Sequence, residues 1–109
     1  MSKQLSFTYG DKDYTLEFTR KSVETMERQG FVADDIKTKP MLTLPALFRG
    51  AFLANHSSVK REKIDEIYGK MTNKGDLIAK LAEMYNEPIL ALVDEPEENE
   101  GNLDWTASW

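Results

Sequence analysis

The chain has no cysteine, which removes disulfides and thiolate metal sites together and weakly favours an intracellular setting. Histidine is nearly as scarce. His56 is the only one, and no Asp or Glu stands beside it at metal-ligand spacing, so it reads as a helix-end histidine favoured there by the dipole. The six glycines are scattered singly, which excludes a phosphate-cradling loop. No apolar run is long enough to span a bilayer, and the longest, Met41 to Asn55, is interrupted by Arg49. Met1 to Gly10 alternates apolar and polar residues without the apolar core of a signal peptide, so the chain is expected to stay in the cytosol where it is made.

Reactive constellations are equally thin. Ser57 and Ser58 adjoin His56, but neighbours in sequence do not face each other, and a triad needs an orienting carboxylate from elsewhere. Asp34-Asp35 lacks the further oxygen ligands and the glycine of a calcium loop. Glu62, Asp65 and Glu66 are interleaved with Arg61 and Lys63, the pattern of a solvated charged face; a tuned acid needs burial or a like-charged partner. The expectation is a protein that is not an enzyme and takes no cofactor or metal.

What is present suits one small globular domain: 109 residues, 40% of them hydrophobic. Charge is unevenly placed. Residues 94–109 hold Asp94, Glu95, Glu97, Glu98, Glu100 and Asp104 without one Lys or Arg, a charge of −6, while the preceding 93 residues carry 14 basic and 13 acidic side chains, or +1. The change near Asp94 divides the chain into a 1–93 domain and a 94–109 acidic, tryptophan-bearing tail. A near-neutral body argues against nucleic acid as a general partner, although Lys60-Arg61-Lys63 keeps a small DNA-binding or host-protein-binding regulator as the alternative reading.

Gln4 to Tyr9 and Tyr14 to Phe18 alternate apolar and polar residues around the polar Gly10-Asp11-Lys12-Asp13, a β-hairpin signature with a four-residue loop. Thr19 is placed to cap a helix over Arg20 to Gln29 that stops at Gly30. The central helix follows. Leu44, Leu47, Phe48, Ala51 and Phe52 form one stripe, widened by Leu42, Ala46 and Leu53, with Thr43 as N-cap and Pro45 in the first turn. A helix this apolar is expected to be covered on several sides. Ser57 or Ser58 opens the next helix, with Val59, Ile64, Ile67, Tyr68 and Met71 inward and Arg61–Asp65 and Glu66–Lys70 paired outside. Ile78, Leu81, Ala82, Tyr85, Ile89, Leu92 and Val93 keep a helical period across Pro88, which should kink or split that last helix. The fold class is therefore α+β, an N-terminal β-hairpin, with room for a C-terminal strand to join it, packed on a bundle of about four helices.

In the tail, Leu103, Trp105 and Trp109 lie at strand spacing, and both tryptophans of the protein fall within the last five residues. Three states are open to such a segment: a third strand beside the chain's own hairpin, a strand added to a partner or a neighbouring protomer, or disorder. Exposed indoles invite association, so these three residues are the candidates for partner contact.

The layout resembles a known family. Phe7-Thr8-Tyr9-Gly10 and Tyr14 to Arg20, then Leu44-Pro45-Ala46-Leu47-Phe48-Arg49-Gly50-Ala51-Phe52, then an acidic, tryptophan-ended C-terminus together resemble the small tail assembly chaperones of long-tailed (siphovirus-type) bacteriophages. The resemblance implies a non-enzymatic factor in the cytoplasm of the infected bacterial host, absent from the mature virion. It would bind the long, hydrophobic tape measure protein, keep it soluble and help recruit the tail tube protein. It also leaves room for homo-oligomerisation.

Overall fold

The computed structural model describes residues 3–93, 103 and 105–109. Two strands, β1 (Gln4–Tyr9) and β2 (Lys12–Glu17), form an antiparallel hairpin, followed by α1 (Arg20–Arg28), a short 3-10 turn (Ala33–Ile36), α2 (Pro40–Gly50), α3 (Arg61–Lys70) and α4 (Lys74–Ala91). The α+β class and the hairpin-plus-four-helices architecture are those the sequence implies. The acidic run over 94–102, with Asp104, lies outside the described residues.

The hairpin loop is two residues long rather than four. Gly10 and Asp11 both adopt positive φ, 56° and 64°, which is the backbone of a tight turn whose twist matches that of the flanking strands. Lys12 and Asp13 therefore pair across the ladder, with Tyr9 and Thr8. Leu5 opposes Leu16 and Phe7 opposes Tyr14, so one face of the sheet is apolar along its length. Tyr14 and Leu16 are fully buried, whereas Leu5, Phe7 and Tyr9 are only half-buried.

A two-stranded hairpin is marginal alone in water. Here the segment between α2 and α3 holds it. Glu17 N–H donates to the Ala51 carbonyl at 3.2 Å, Thr15 N–H donates to His56 Nε2 at 3.0 Å, and Asn55 Nδ2 donates to the Thr15 carbonyl at 3.2 Å. The outer edge of β2 is thereby satisfied by turns, as a third strand would satisfy it. His56 is thus an edge-sealing acceptor, its ring packed against Tyr14 and Phe52 at 5.1 and 6.3 Å between centroids.

The core runs from the sheet through Leu47, Phe48, Ala51 and Phe52 to Ile64 and Ile67 of α3 and to Leu77, Leu81, Met84 and Tyr85 of α4. Phe7 stacks on Tyr14, Tyr14 and Phe48 each meet Phe52, and Phe48 reaches Tyr68, one aromatic chain from β1 to α3. On the other side Tyr85 takes Phe18 and Phe31 edge-on at 5.4 and 5.3 Å. Full burial of a side chain such as Phe48, Phe52, Leu16 or Leu81 contributes about 1.5–3 kcal/mol. α1 enters this core through a capping box, Thr19 with Ser22, and leaves at Gly30, φ +95°. α1 and α2 touch at Gly50, where an added Cβ would stand 2.3 Å from Met26 Cε.

Several boundaries differ from the sequence reading. α2 starts at Pro40, which takes the first helical position, so Thr43 is a buried helix-interior residue instead of the N-cap and Pro45 sits mid-helix. Pro45 leaves the Met41 carbonyl without a helical donor, a loss tolerated because Met41 stands out in solvent. The helix ends at Gly50, and Ala51 and Phe52 reach the core from the turns that follow. α3 begins at Arg61 after Lys60, with no side-chain cap from Ser57 or Ser58. Pro88 does not split α4, which continues to Ala91. Glu66 accepts from the Tyr9 hydroxyl and lies 3.7 Å from Lys63 in place of the expected Lys70 pairing, while Lys70 stands over the Tyr9 ring.

Two polar tethers also fix β1. The Tyr9 hydroxyl bond, with help from Lys63, lowers the Glu66 pKa from the usual 4.5, and the bond from Lys3 does the same to Glu83. Tyr9 and Lys3 are raised by the same contacts, hydrogen bonding first.

Replacing His56 with Leu leaves the Thr15 N–H unpaired at a part-buried site and should cost about 1–3 kcal/mol in urea unfolding followed by circular dichroism; an unchanged midpoint would refute the edge-sealing role. For the tethers, depressed carboxylates stabilise the fold above their unfolded pKa. Their contribution should be complete above pH 4.5 and vanish as pH falls below it, while that of Tyr9 and Lys3 is complete below pH 10.0 and lost as pH rises further. These groups are exposed, so the effect is small and shrinks with salt. Urea midpoints from pH 6 to pH 3 should fall less for Glu66→Gln/Glu83→Gln than for the parent chain.

Candidate functional site

The described residues hold no group of three or more His, Cys, Asp or Glu placed to ligate a metal. The charged residues of α2 and α3 are occupied with one another. Arg49 binds Asp65 through two nitrogens, Nε–Oδ1 at 3.0 Å and Nη2–Oδ2 at 3.2 Å, Arg61 approaches the same carboxylate at 3.9 Å, and Lys63 faces Glu66. Two of the three cations in Lys60-Arg61-Lys63 thus have carboxylate partners, which weakens the case for phosphate binding there. What remains is surface without such chemistry, and much of it is apolar.

The first apolar region is the C-terminal end of α4 and the tail. Ile89, Leu90, Leu92 and Val93 are exposed although Leu81, Met84 and Tyr85, one turn earlier, are buried. The helical period predicts that Ile89, Leu92 and Val93 join the core; instead they are exposed, and the buried residues of α4 end at Tyr85. Pro88, Ile89 and Leu92 line one wall of a shallow cleft of about 230 Å³, with Val23 and the charged residues of α1 opposite.

Leu103, Trp105 and Trp109 are 93%, 80% and 101% exposed, and no strand forms there. Of the three states open to the tail, a third strand beside the chain's own hairpin does not form among the described residues. On the β2 side the body leaves no place for one, because that strand's outer edge is already taken by residues 51–56. The three residues singled out from the sequence are all available for contact.

A second region was not anticipated. α1's C-terminal end, the 3-10 turn and α2 enclose a cleft of about 500 Å³ lined by the apolar Met26, Phe31, Val32, Leu42 and Leu53 and by the charged Asp35, Lys39, Arg49 and Arg61. Met41, 87% exposed, and Leu42 stand at α2's start. Leu42, which the helical spacing places beside the core stripe, is solvent-facing. Pro40 was the signal that could have shown this, because a helix opened by Pro40 puts Met41 and Leu42 in a first turn ahead of the residues that reach the core. The apolar part of this lining suits a partner's apolar side chain, whereas Arg49 and Arg61 are already paired with Asp65 and Asp35 stands in the same lining.

If the tail carries contact rather than stability, replacing Leu103, Trp105 and Trp109 together with Ala should change unfolding free energy by no more than about 0.5 kcal/mol. Tryptophan emission of the parent chain at dilute concentration should also stay nearly constant through the transition seen by circular dichroism. A loss above about 1 kcal/mol would place the tail in the fold.

Searches of curated proteins and of solved structures found no match to this chain. The family described as Domain of unknown function (DUF5055) matches residues 1–109, and the chain belongs to it.

Proposed function

We propose that this protein is a tail assembly chaperone of a long-tailed bacteriophage, a non-enzymatic factor that binds the tape measure protein and assists assembly of the tail tube. The observation that carries the reading is the amount of large apolar surface left exposed on a small, well-packed body. Met41, Leu42, Ile89, Leu90, Leu92, Val93, Leu103, Trp105 and Trp109 are all exposed, more than scattered surface residues require. A holdase needs such adaptable surface, and tryptophan is among the residues that most often dominate binding energy. The layout described from the sequence, hairpin, central Leu-Pro-Ala-Leu-Phe segment and acidic tryptophan-ended tail, supports the same reading.

On this proposal the chain acts in the cytoplasm of the infected host and is left out of the finished virion. No helix among the described residues is long and apolar enough to cross a membrane. The tail residues Leu103, Trp105 and Trp109 make the main contact with the tape measure protein, and the acidic run keeps the complex in solution by charge repulsion.

Co-expression with the tape measure protein of the same genome tests it. The tape measure protein should move from the pellet to the soluble fraction and co-purify with the chain, and alanine at Leu103, Trp105 and Trp109 together should weaken the complex by about tenfold or more. No co-purification, or affinity untouched by the triple substitution, would reject the reading. A salt-titrated DNA-binding assay covers the regulator alternative, for which steep loss of affinity with salt is the signature.

A further inference from the structure

The hairpin has two outer edges, and they are treated very differently. β2's is sealed by Ala51, Asn55 and His56. Because Thr15 turns its N–H and C=O away from β1, its partner Ser6 must turn its own away from β2, and by the antiparallel alternation so must Gln4 and Thr8. Among the described residues no hydrogen bond reaches the outward backbone groups of Ser6 or Thr8. An open edge is usually blunted by charge, proline or a bulge. β1, Gln-Leu-Ser-Phe-Thr-Tyr, has none of these, while the sealed strand carries Lys12, Asp13 and Glu17.

The apolar face is also unfinished on that side. Leu5, Phe7 and Tyr9 are half-exposed where Tyr14 and Leu16 are buried, so another strand beside β1 would find apolar area to cover. The same chain carries a segment with matching properties. Leu103, Trp105, Ala107 and Trp109 fall on one face of an extended strand, Asp104, Thr106 and Ser108 on the other, and the described residues among them make no contact that buries them.

We propose that β1's outer edge is the acceptor for the Leu103–Trp109 segment of a second copy of this chain, paired antiparallel to β1. Charge sets the direction. The Gln4 end of β1 is bordered by Glu17, Glu83 and Glu87 against Lys3, and the Tyr9 end by Lys12, Lys63 and Lys70 against Asp11, Asp13 and Glu66. Five carboxylates, Asp94, Glu95, Glu97, Glu98 and Glu100, precede the added strand, and Asp104 stands near its start; an antiparallel approach puts all six at the Tyr9 end, away from the net-negative one. Trp105 and Trp109 then cover Leu5 and Phe7. Since each copy offers one edge and one tail, two copies can exchange tails reciprocally and close as a dimer. This assembly stands without the tape measure reading, and since both use Leu103, Trp105 and Trp109, a tail seated on β1 is not at the same time on the tape measure protein.

Sedimentation of the full chain over a range of concentrations, with acrylamide quenching of Trp105 and Trp109, tests it. The parent chain should dimerise and its tryptophans become protected as it does. Ser6→Pro, which removes an outward N–H without breaking a ladder bond, and Trp105→Ala/Trp109→Ala should each weaken self-association by about tenfold or more. Mixed together, the two variants should form heterodimers tighter than either variant with itself and weaker than the parent dimer, because one intact tail and one intact edge keep a single exchange of the two. A parent chain that stays monomeric, a tryptophan variant that dimerises as well as the parent, or folded variants that fail to complement would each overturn the proposal. Should Ser6→Pro fail to fold, the tryptophan variant and the quenching experiment still decide it.

Discussion

The structure depends on how the hairpin's second strand is sealed. Two strands of six residues cannot hold together on their own in water, and the sheet has no third strand among the described residues. In its place stand the Ala51 carbonyl, the Asn55 amide and the His56 ring, all from the turns that leave α2. Those turns also deliver Ala51 and Phe52 to the core. One short segment therefore joins sheet to bundle twice, by polar contact at the edge and by aromatic contact at the face. Because the two act on the same six residues, loosening one exposes the other, and the hairpin and α2 should unfold as one unit.

This arrangement also decides which surfaces remain for other chains. Sealing β2 leaves β1 as the open edge. Burying Leu47, Phe48 and Phe52 turns α2's first turn, with Met41 and Leu42, outward beyond the core. Anchoring α4 through Leu81, Met84 and Tyr85 leaves the apolar residues of its last turn outside the core. The exposed apolar residues thus lie at the ends of elements whose other parts are fixed in the core. They can engage a partner without the body having to rearrange, which lowers the ordering cost of binding to that of the contact residues themselves.

Much of this was legible from residue patterns. The alternation of Leu5, Phe7 and Tyr9 against Tyr14, Leu16 and Phe18 announced the hairpin, and Thr19 with Gly30 bracketed α1 within a residue. The loop was overestimated because Lys12 and Asp13 look like turn residues; only the positive φ of Gly10 and Asp11 shows that two residues suffice. Thr43 has the chemistry of a cap, but Pro40 competes for the start of α2 and its fixed φ wins. His56 carries no local sign of what it does. Its role is to accept from a residue 41 positions away, a long-range contact that no local spacing encodes. For Ile89, Leu92 and Val93 the period was right and the depth was wrong: periodicity says which face of a helix is apolar, and tertiary packing says how far along that face the core extends.

The tail combines two opposing tendencies, and their combination is informative. Two exposed indoles and Leu103 at strand spacing favour association, while six carboxylates just before or among them oppose it in any copy that lacks compensating cations. A segment carrying only the first would aggregate, and one carrying only the second would bind nothing apolar. Together they restrict association to surfaces that supply both an apolar strip and a tolerable charge beside it. β1 meets that description, with Leu5, Phe7 and Tyr9 along the strip and Lys63 and Lys70 over the Tyr9 ring. Specificity of this kind comes as much from the surfaces the carboxylates exclude as from the one the tryptophans fit.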